Sequence, residues 1–459
     1  MRIIICGAGK VGYSIAQQLS REDNEVTVID YNAELIARIN DRLDVQAIHG
    51  HASHPAVLKA ARAEDADMLI AVTYSDEVNM VACQIGYSLF NIPTRIARIR
   101  HQDYLQAEWS DLYSNEQLAL NVIISPEIEV AQAILRRLHA PGTLQVIPFG
   151  NDKLRICAVR LLEDCPVLNL PVHMVQQKAG DMPLAIIGVV QKGKFALSQE
   201  TTMLHEGDDV YFAVDSSVMR PAMRLFGHNE KETRRALILG GGNIGAYLAQ
   251  AIEEDREHGI KAKVVEFDAK RAEHIATELH HTTVLHGSAL DREVLNEAGI
   301  QLCETVMCVT NDDETNILSA LLAKRSGAER TFALINNASY SPLLSDLGVD
   351  VTINPREITV SRILQHVRRG RISAVHAIYD GDAEIIEAEV IATSSMVGKR
   401  ISDIAPGRGV RFAAILRGEE VIFPDDDTQL HEKDHVIILA LTGMVRKVER
   451  LFSVSVEYF

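Results

Sequence analysis

The chain has 459 residues, of which 47% are hydrophobic and 24% are charged, a balance typical of globular proteins, and this length suits roughly three or four domains. Its formal net charge of −17 argues against broad nucleic-acid binding, which needs clustered Lys and Arg. No apolar run reaches the roughly 18 residues of a membrane-spanning helix and no signal-peptide cleavage site is recognisable, so we expect a cytoplasmic protein that does not itself span the membrane.

Residues 1–124 alternate short apolar runs with amphipathic helical segments. Strands are predicted at 3–6, 26–29, 68–72 and 95–99, and this β-α-β pattern is typical of a parallel sheet. The first strand leads directly into a glycine loop that opens a helix, as in a Rossmann-type dinucleotide-binding domain. We therefore predict a Rossmann-like domain over 1–124.

The next segments change in character. A helix is predicted over 125–142, because Ser125-Pro126-Glu127 offers an N-cap, a first helical residue and a first-turn carboxylate. Residues 143–225 contain short apolar strands separated by Gly and Asp turns, which indicates a small α+β domain. The polar segment 226–234 predicts a linker.

The second half of the chain repeats the first. The repeated motifs, with the first copy before the second, are Gly7-x-Gly9-x-x-Gly12 and Gly240-x-Gly242-x-x-Gly245, His49-Gly50 and His286-Gly287, and Val72-Thr73 and Val309-Thr310. A Rossmann-like domain is therefore predicted over 235–353, a helix over 354–370 and a small α+β domain over 371–459. The predicted fold class is α/β, with two Rossmann-like parallel-sheet domains each followed by a small α+β domain, produced by internal duplication.

Each glycine loop predicts a binding site for the pyrophosphate of a dinucleotide. The first glycine makes a tight turn, the second lets the backbone approach the pyrophosphate and the third allows close helix packing, while backbone amides at the helix N-terminus meet the negative charge. An acidic residue then ends the second strand, Asp30 in the first copy and Glu266 in the second. A carboxylate there accepts hydrogen bonds from the adenosine ribose and repels a 2′-phosphate, which favours NAD(H) over NADP(H).

Further candidate residues lie where other strands end, because ligands collect at the carboxyl ends of parallel strands. The predicted nucleotide-binding residues are Gly7, Ala8, Gly9, Lys10, Val11, Gly12, Asp30, His51, Ala52, Ser53, Thr73, Tyr74, Glu77 and Arg98 in the first copy, and Gly240, Gly242, Asn243, Ile244, Gly245, Glu266, Ser288, Thr310 and Asn311 in the second. The second copy has Leu334 in place of Arg98 and Leu290 in place of Ser53, so we predict that the first site binds an anionic dinucleotide more strongly. The alternative for each copy, and more so for the second, is a degenerate domain that binds nothing.

No catalytic or metal-binding residues are predicted. His49, His51 and His54 are closely spaced but have no carboxylate or thiol at ligand spacing. The six cysteines contain no C-x-x-C pair, and those in apolar runs are predicted to be buried thiols. Two nucleotide sites without an acid–base constellation or a G-x-x-x-x-G-K-[ST] loop predict a ligand-controlled change of shape rather than an enzyme. A soluble NAD-dependent oxidoreductase is the alternative.

Together these motifs carry a resemblance to a known family. The first glycine loop, Asp30, the segment 49–53, Thr73-x-x-Asp76-Glu77-x-Asn79, Arg98, the crossover helix and Gly207-Asp208-Asp209-Val210 resemble an RCK (KTN) domain followed by a TrkA-C domain. The tandem of two such pairs resembles the TrkA family, the cytosolic regulatory subunits of bacterial Trk potassium-uptake systems. The family often has Asp directly after the third-strand glycine, and because His51 and Ser288 stand there in this chain, that contact is not carried over.

The resemblance implies a homo-oligomeric ring, with a tetramer expected, at the cytoplasmic face of the inner membrane and docked to a TrkH-type potassium channel subunit. NAD(H), with ATP or ADP as further candidates, would bind the Rossmann clefts and change the shape of the ring, so gating potassium flux. The acidic net charge fits a membrane partner whose cytoplasmic loops are rich in Lys and Arg. Regulation of another ion transporter stays open, as do the choice between NAD⁺ and NADH and the identity of the activating nucleotide.

Overall fold

The computed structural model describes residues 1–21, 24–114, 117–256, 258–340, 343–344, 347–367, 372–394, 396–404 and 409–452. It begins with a six-stranded parallel sheet of β1 (Arg2–Cys6), β2 (Glu25–Asp30), β3 (Gln46–His49), β4 (Met68–Ala71), β5 (Thr94–Arg98) and β6 (Val122–Ile124), in the order β3-β2-β1-β4-β5-β6. The helices of this domain are α1 (Lys10–Ser20), α2 (Ala33–Arg42), α3 (Pro55–Ala60) and α4 (Asp76–Phe90). This strand order is that of a doubly wound dinucleotide-binding fold, which confirms the predicted Rossmann-like domain.

The pattern of apolar residues explains this first domain. Strand β4 is buried along its whole length, as expected of a parallel strand with helices on both faces. Helix α1 buries Gly12, Ile15 and Leu19, which share one face of a helix. The strand order changes direction between β1 and β4, and this leaves a crevice at the carboxyl ends of these two strands.

A long helix and a small antiparallel domain follow. Helix α5 (Pro126–His139) begins where predicted, with Ser125 at the N-cap and Pro126 in the first turn. The Ser125 hydroxyl makes no capping bond, however, and is buried without a hydrogen-bond partner among the described residues. The small domain contains β7 (Thr143–Phe149), β8 (Leu154–Arg160), α6 (Val172–Ala179), β9 (Leu184–Gln191), β10 (Lys194–Leu197), β11 (Asp209–Asp215) and α7 (Met219–Leu225), with the sheet order β10-β9-β11-β8-β7.

The second half repeats these two domains, which confirms the predicted duplication. Its parallel sheet, β14-β13-β12-β15-β16-β17, is built from β12 (Arg235–Leu239), β13 (Lys261–Glu266), β14 (Thr283–His286), β15 (Thr305–Cys308), β16 (Arg330–Leu334) and β17 (Val351–Ile353), with helices α8 (Asn243–Glu254), α9 (Ala269–Glu278), α10 (Arg292–Ala298) and α11 (Asp313–Arg325). Helix α12 (Pro355–Val367) leads to β18 (Ile372–Ile378), β19 (Ala383–Glu389), β20 (Val410–Arg417), β21 (Glu420–Ile422), β22 (His435–Leu441) and α13 (Val445–Phe452), with the sheet order β18-β19-β22-β20-β21.

The two long helices exchange partners between the halves. Helix α5 belongs to the first half, but its Val130, Ile134 and Leu138 are part of the hydrophobic core beneath the second parallel sheet. In return, Ile363 and Leu364 of α12 complete the core of the first parallel sheet. The helices also meet each other, and Arg362 Nε lies 3.0 Å from Glu129 Oε1. Each Rossmann-like domain is therefore completed by a helix from the other half.

The two small domains share a core as well. Phe149 and Ile156 of the first antiparallel sheet and Ile385 and Ile437 of the second are buried in a single hydrophobic cluster. The ring of Phe149 also meets the ring of His376 edge to face, with 5.5 Å between their centroids. Face-to-face packing of two sheets buries one apolar face of each, so the halves are joined at this face as well as through the exchanged helices.

The segment predicted as a linker, 226–234, connects the halves and is partly packed against them. His228 is buried, with Nδ1 2.6 Å from Glu230 Oε1 and Nε2 2.9 Å from the carbonyl oxygen of Arg160. Thr233 is also buried, and its hydroxyl lies 2.8 Å from that of Thr305. These polar groups have partners within the protein, whereas Asn229, Lys231 and Arg234 of the same segment are exposed. In the part of the chain that the structure describes, every helix is too short or too polar to cross a bilayer.

Candidate functional site

The first candidate site is the cleft at the carboxyl ends of β1 and β4, and the three glycines of its loop have different environments. Gly7 has a φ of +113°, and a Cβ there would lie 2.9 Å from the Val72 carbonyl oxygen. A Cβ on Gly12 would lie 1.8 Å from the Gly7 carbonyl oxygen, so helix and loop touch at this residue. A Cβ on Gly9 would meet nothing within 4 Å, because this residue faces the open cleft. Gly240, Gly242 and Gly245 repeat this arrangement, with φ +109° at Gly240 and 1.9 Å at Gly245.

The helices that follow the two loops have uncapped N-termini. Helices α1 and α8 begin after Gly9 and Gly242, have no side-chain capping bond and have no acidic residue in the first turn. The neighbouring helices α2 and α4 are capped by Asn32 and Ser75. Since the first amides of a helix need acceptors, the uncapped N-termini facing the clefts favour binding of an anionic group.

The predicted carboxylates lie beside these loops. Asp30 is buried and accepts hydrogen bonds from the amides of Ala8, at 2.6 Å, and Asn32, at 2.8 Å. Glu266 accepts bonds of the same lengths from the amides of Gly241 and Asp268. A carboxylate oxygen has more than one lone pair, so each group is also able to accept a ribose hydroxyl.

An aromatic residue directly follows each carboxylate, which the sequence analysis did not single out. Tyr31 is 70% exposed and Phe267 is 76% exposed, although large aromatic side chains are usually well buried. The signal was present in the sequence as an aromatic residue at the same position of both copies. Tyr31 and Phe267 therefore join the candidate residues at the adenosine end of each cleft.

The loop after β3 is ordered by its own polar groups. His51 Nδ1 lies 2.8 Å from the Ser53 hydroxyl, Ala52 is buried, and the ring of His51 stacks on that of His54 at 4.9 Å. His49 Nε2 lies 2.9 Å from the Tyr31 carbonyl oxygen, a contact that His286 repeats with Phe267 at 3.0 Å. In the second copy, the Ser288 hydroxyl accepts a bond from the Leu290 amide.

The loop after β4 is held by a buried asparagine. Asn79 Oδ1 accepts hydrogen bonds from both the amide and the hydroxyl of Thr73, at 2.9 and 2.7 Å, and Asn79 Nδ2 donates to the Arg98 carbonyl at 2.8 Å. Asn316 makes the same bonds with Thr310 and Leu334. The threonine hydroxyls thus position the loop backbone, and Asn79 and Asn316 support the site without having been predicted as part of it.

The remaining candidates of the first cleft differ in exposure. Tyr74 is 84% exposed. Glu77 is exposed and accepts a bond from the Ser75 hydroxyl, which lowers the pKa of its carboxyl. Arg98 Nη2 donates to the Thr73 carbonyl at 2.7 Å, while burial lowers the pKa of its guanidinium. Its Nε has no hydrogen-bond partner among the described residues, so Arg98 has donor capacity left beside the cleft.

The second cleft has a cation that the sequence comparison missed. Leu334, at the position of Arg98, is buried in the core, and Leu290 is partly exposed. Arg271 of α9, however, donates from Nε to the Gly241 carbonyl at 3.0 Å. The first copy has Leu35 at this position. The second glycine loop therefore has its own guanidinium, which partly offsets the loss of the Arg98 equivalent.

The cysteines in apolar runs are buried thiols, as predicted. All six are buried, and burial raises the pKa of Cys6, Cys157 and Cys308 to about 12. A thiolate is the form that attacks electrophiles or binds metals, and these thiols stay protonated near neutral pH.

One cluster with metal-ligating side chains does occur among the described residues, at His139, Asp255 and His258, outside both clefts. His139 is far from the other two residues in sequence, so the sequence analysis did not bring it together with Asp255 and His258.

Comparisons with known proteins agree with this architecture. The TrkA-N domain family matches residues 3–126 and 236–355, and the TrkA-C domain family matches residues 385–453. A Trk system potassium uptake protein TrkA of Azorhizobium caulinodans is 45% identical over 459 residues, with 100% of both chains covered. A protein of the same name from Halomonas elongata is 38% identical over 463 residues, again with 100% of both covered. A solved structure of the GsuK channel bound to NAD has a similar fold, with a TM-score of 0.59 and 19% identity over 98% of this chain and 78% of that chain.

Proposed function

The chain belongs to the TrkA family of Trk potassium-uptake proteins, and from that premise we propose that it is a regulatory subunit in which nucleotide occupancy of the two clefts controls potassium uptake by a membrane partner. The observation that carries the proposal is the repeated cleft geometry. In both halves an uncapped helix N-terminus and a carboxylate 2.6 Å from a loop amide face the same opening.

The ligand we propose is NAD(H). The Asp30 and Glu266 carboxylates suit a ribose diol and repel a 2′-phosphate, and the uncapped amides suit a pyrophosphate. The GsuK channel, a protein of similar fold, has been solved with NAD bound. ATP and ADP share the adenosine and phosphate groups, and they are the competing ligands in the experiment below.

We propose that the output of binding is movement rather than bond-making. His51 and Tyr74 in the first cleft have Ser288 and Asn311 at the equivalent positions in the second. The imidazoles that both copies do have, His49 and His286, each lie within hydrogen-bond distance of a backbone carbonyl oxygen of their own domain. The carboxylates that they do share are hydrogen-bonded to their own loops. A soluble oxidoreductase remains the competing function, and turnover of nicotinamide with a panel of metabolites would reveal it.

The exchanged helices offer a route from the clefts to the rest of the molecule. Helix α1, whose N-terminus faces the first cleft, packs against α12 from the other half, and α8 packs against α5. A nucleotide shifts the balance between two shapes only by its difference in affinity for them, typically about 1–3 kcal/mol of coupling per site. When one assembly holds several sites, their coupling free energies add.

The assembly we propose is a homo-oligomeric ring, a tetramer, at the cytoplasmic face of the membrane beneath a TrkH-type channel subunit. Two equivalent residues, Val81 on α4 and Leu318 on α11, are 42% and 51% exposed. Such apolar side chains at the same position of both Rossmann-like domains suit contacts between copies. The net charge of −17 suits a membrane partner with basic cytoplasmic loops.

The decisive experiment is titration of the purified chain with NADH, NAD⁺, ATP and ADP, using Gly9→Glu and Gly242→Glu separately. A carboxylate at either position projects into the open cleft and repels the pyrophosphate. Gly9→Glu should remove most high-affinity binding and Gly242→Glu should remove less, since Arg98 and Ser53 belong to the first cleft. Ala196→Glu, which adds a carboxylate to the exposed face of β10, is the control and should bind like the parent chain.

The outcomes separate the parts of the proposal. A greater loss with Gly242→Glu would reverse the ranking of the two sites and give Arg271 the larger role. If both variants bound nucleotide with the affinity of the parent chain, the clefts would not be the nucleotide sites. The proposed function would then be wrong. Nucleotide-dependent potassium flux through the co-purified membrane partner would then test the regulatory step.

A further inference from the structure

A cluster of two histidines and one aspartate lies where the two halves of the chain meet. His139 is the last residue of α5, which packs against α8 of the other half. Asp255 follows α8 directly, and His258 lies in the turn between α8 and β13. The cluster therefore joins the exchanged helix of the first half to the second Rossmann-like domain, away from both glycine loops.

The geometry of the three side chains is compact. The rings of His139 and His258 stack face to face, with 3.7 Å between centroids and 4° between planes. Asp255 Oδ2 lies 2.8 Å from His139 Nε2 and also 2.8 Å from His258 Nδ1. One ligand atom from each residue lies within 4.8 Å of the other two. The side chains of His139 and Asp255 are only 19% and 17% exposed, so the group is shielded but reachable.

We propose that His139, Asp255 and His258 form a binding site for a divalent transition-metal ion of the Zn²⁺ class, which links helix α5 to the second Rossmann-like domain. Two imidazole nitrogens and a carboxylate oxygen suit zinc and related ions, whereas Ca²⁺ and Mg²⁺ prefer oxygen ligands throughout. Three protein ligands leave the fourth position of a tetrahedral ion for water.

The charges in the cluster favour a cation over two protons. The Asp255 carboxylate lies 2.8 Å from a nitrogen of each imidazole, and it also accepts a hydrogen bond from the His258 amide at 3.3 Å. Protonating both stacked imidazoles would place two positive charges face to face. A single divalent ion accepts a lone pair from each imidazole and balances the carboxylate.

The rearrangement that an ion requires has two parts, an opening of the contacts to Asp255 and a rotation of one imidazole ring. Metal–ligand bonds of about 2.0–2.1 Å in a tetrahedral site place ligand atoms about 3.3–3.4 Å apart. The two N···O distances of 2.8 Å must therefore open by roughly half an ångström. Because the lone pair of an imidazole nitrogen lies in the ring plane, the two parallel rings cannot both face one ion, and one ring must also rotate out of the stack. His258 lies in a turn, and its side chain is 38% exposed, so it has room for both movements.

The site is tested on the full-length chain after metal removal with a chelator, by calorimetric titration with Zn²⁺ and by the visible absorption of added Co²⁺. The parent chain should bind one Zn²⁺ at this site, with Co²⁺ giving the absorption of a tetrahedral complex. His139→Asn and His258→Asn should each weaken Zn²⁺ binding at least about 100-fold, because loss of an outer-shell partner alone costs 10–100-fold. Ca²⁺ and Mg²⁺ should not compete.

The control is His274→Asn, which removes an exposed histidine whose Nε2 lies 3.4 Å from Glu278 Oε1 on α9. This variant should bind Zn²⁺ like the parent chain. If His139→Asn misfolds, His258→Asn, at the most exposed residue of the cluster, still decides the question. Absence of Zn²⁺ binding by the parent chain, or equal binding by His258→Asn and the control, would overturn the proposal. A free energy of unfolding that depends on pH but not on added Zn²⁺ would show that hydrogen bonds alone join the three side chains. That result would also overturn the proposal.

Discussion

At the scale of single residues, the glycines of each loop divide into two kinds. Gly12 and Gly245 sit where the helix touches the loop backbone, and any side chain there would overlap a carbonyl oxygen. Gly9 and Gly242 border open space and have negative φ values of −64° and −61° that other residues adopt readily. The first kind is required by folding, whereas the second kind leaves room for a ligand.

This difference predicts opposite results for two alanine variants. Gly12→Ala should lower the free energy of unfolding by at least about 1–3 kcal/mol, since the added methyl group forces the helix away from the loop. Gly9→Ala should change it by less than about 0.5 kcal/mol, as at an ordinary surface site. Chemical denaturation of the nucleotide-free chain measures both values. Equal destabilisation of the two variants would contradict the assigned roles.

At the scale of elements, the segment between the halves is held by an ion pair between the buried His228 and the partly exposed Glu230. Burial lowers the pKa of His228, but the hydrogen bond and the charge of Glu230 outweigh it and raise the pKa above its ordinary 6.5. Burial raises the pKa of Glu230, but His228 outweighs it and lowers the pKa below its ordinary 4.5. The pair is therefore fully charged at pH values between these two ordinary values.

The signs of these shifts predict how stability depends on pH. The contribution of His228 is complete below pH 6.5 and is lost as the pH rises through the raised pKa of the folded state. The contribution of Glu230 is complete above pH 4.5 and is lost as the pH falls through its lowered pKa.

His228→Gln should therefore cost about 1.5–3 kcal/mol in mildly acidic buffer, the range for a hydrogen bond to a charged group, and less in alkaline buffer. Denaturation curves across this pH range measure the difference. The exposed His274→Gln is the matched control and should show no such trend. A cost that does not decrease with rising pH would contradict the ion pair.

At the scale of the whole molecule, the exchanged helices make the two halves one folding unit. Helix α12 adds Val360, Ile363, Leu364 and Val367 to the core of the first Rossmann-like domain. Burial of each such side chain stabilises a protein by about 1.5–3 kcal/mol, so the four together are comparable to the total stability of a domain, about 5–15 kcal/mol. Neither half has a complete core alone.

Two separate polypeptides, 1–230 and 231–459, should therefore co-purify when they are expressed together. Each carries the helix that completes the other, and the two small sheets add a shared core. Affinity purification through a tag on one half measures the association. Ile134→Asp combined with Ile363→Asp should abolish it, because both residues are fully buried in the exchanged cores. Recovery of each half as a folded monomer would contradict the exchange.

The exposed apolar residues on α4 and α11 lead to a prediction about assembly. Val81→Arg combined with Leu318→Arg should lower the mass of the oligomer in solution, measured by light scattering, because a charge in an apolar contact between copies is unpaired. Nucleotide affinity per chain should stay the same. Leu162→Arg, at an exposed leucine after β8, is the control. An unchanged mass in the double variant would place the contact between copies elsewhere.

The sequence by itself determined the parts of this protein that depend on local pattern. Strand and helix periodicity, the glycine loops and the repeated motifs predicted both Rossmann-like domains, and the strand-end position of Asp30 and Glu266 placed them beside the loops. These features follow from backbone geometry within a few dozen residues. The burial of Cys6, Cys157 and Cys308 was predictable for the same reason, because these three residues lie in apolar strands.

Only the tertiary structure decided which distant surfaces meet. Helices α5 and α12 are copies of one element, and an amphipathic pattern shows that an apolar face is buried without showing which domain covers it. The duplicated chain offers each helix two similar docking sites, and long-range packing selects the site in the other half. The same selection brings His139 to Asp255 and His258, and close approach through the folded second domain brings Arg271 to the Gly241 carbonyl. No local spacing encodes such contacts, because their energy arises only when the separate elements pack together.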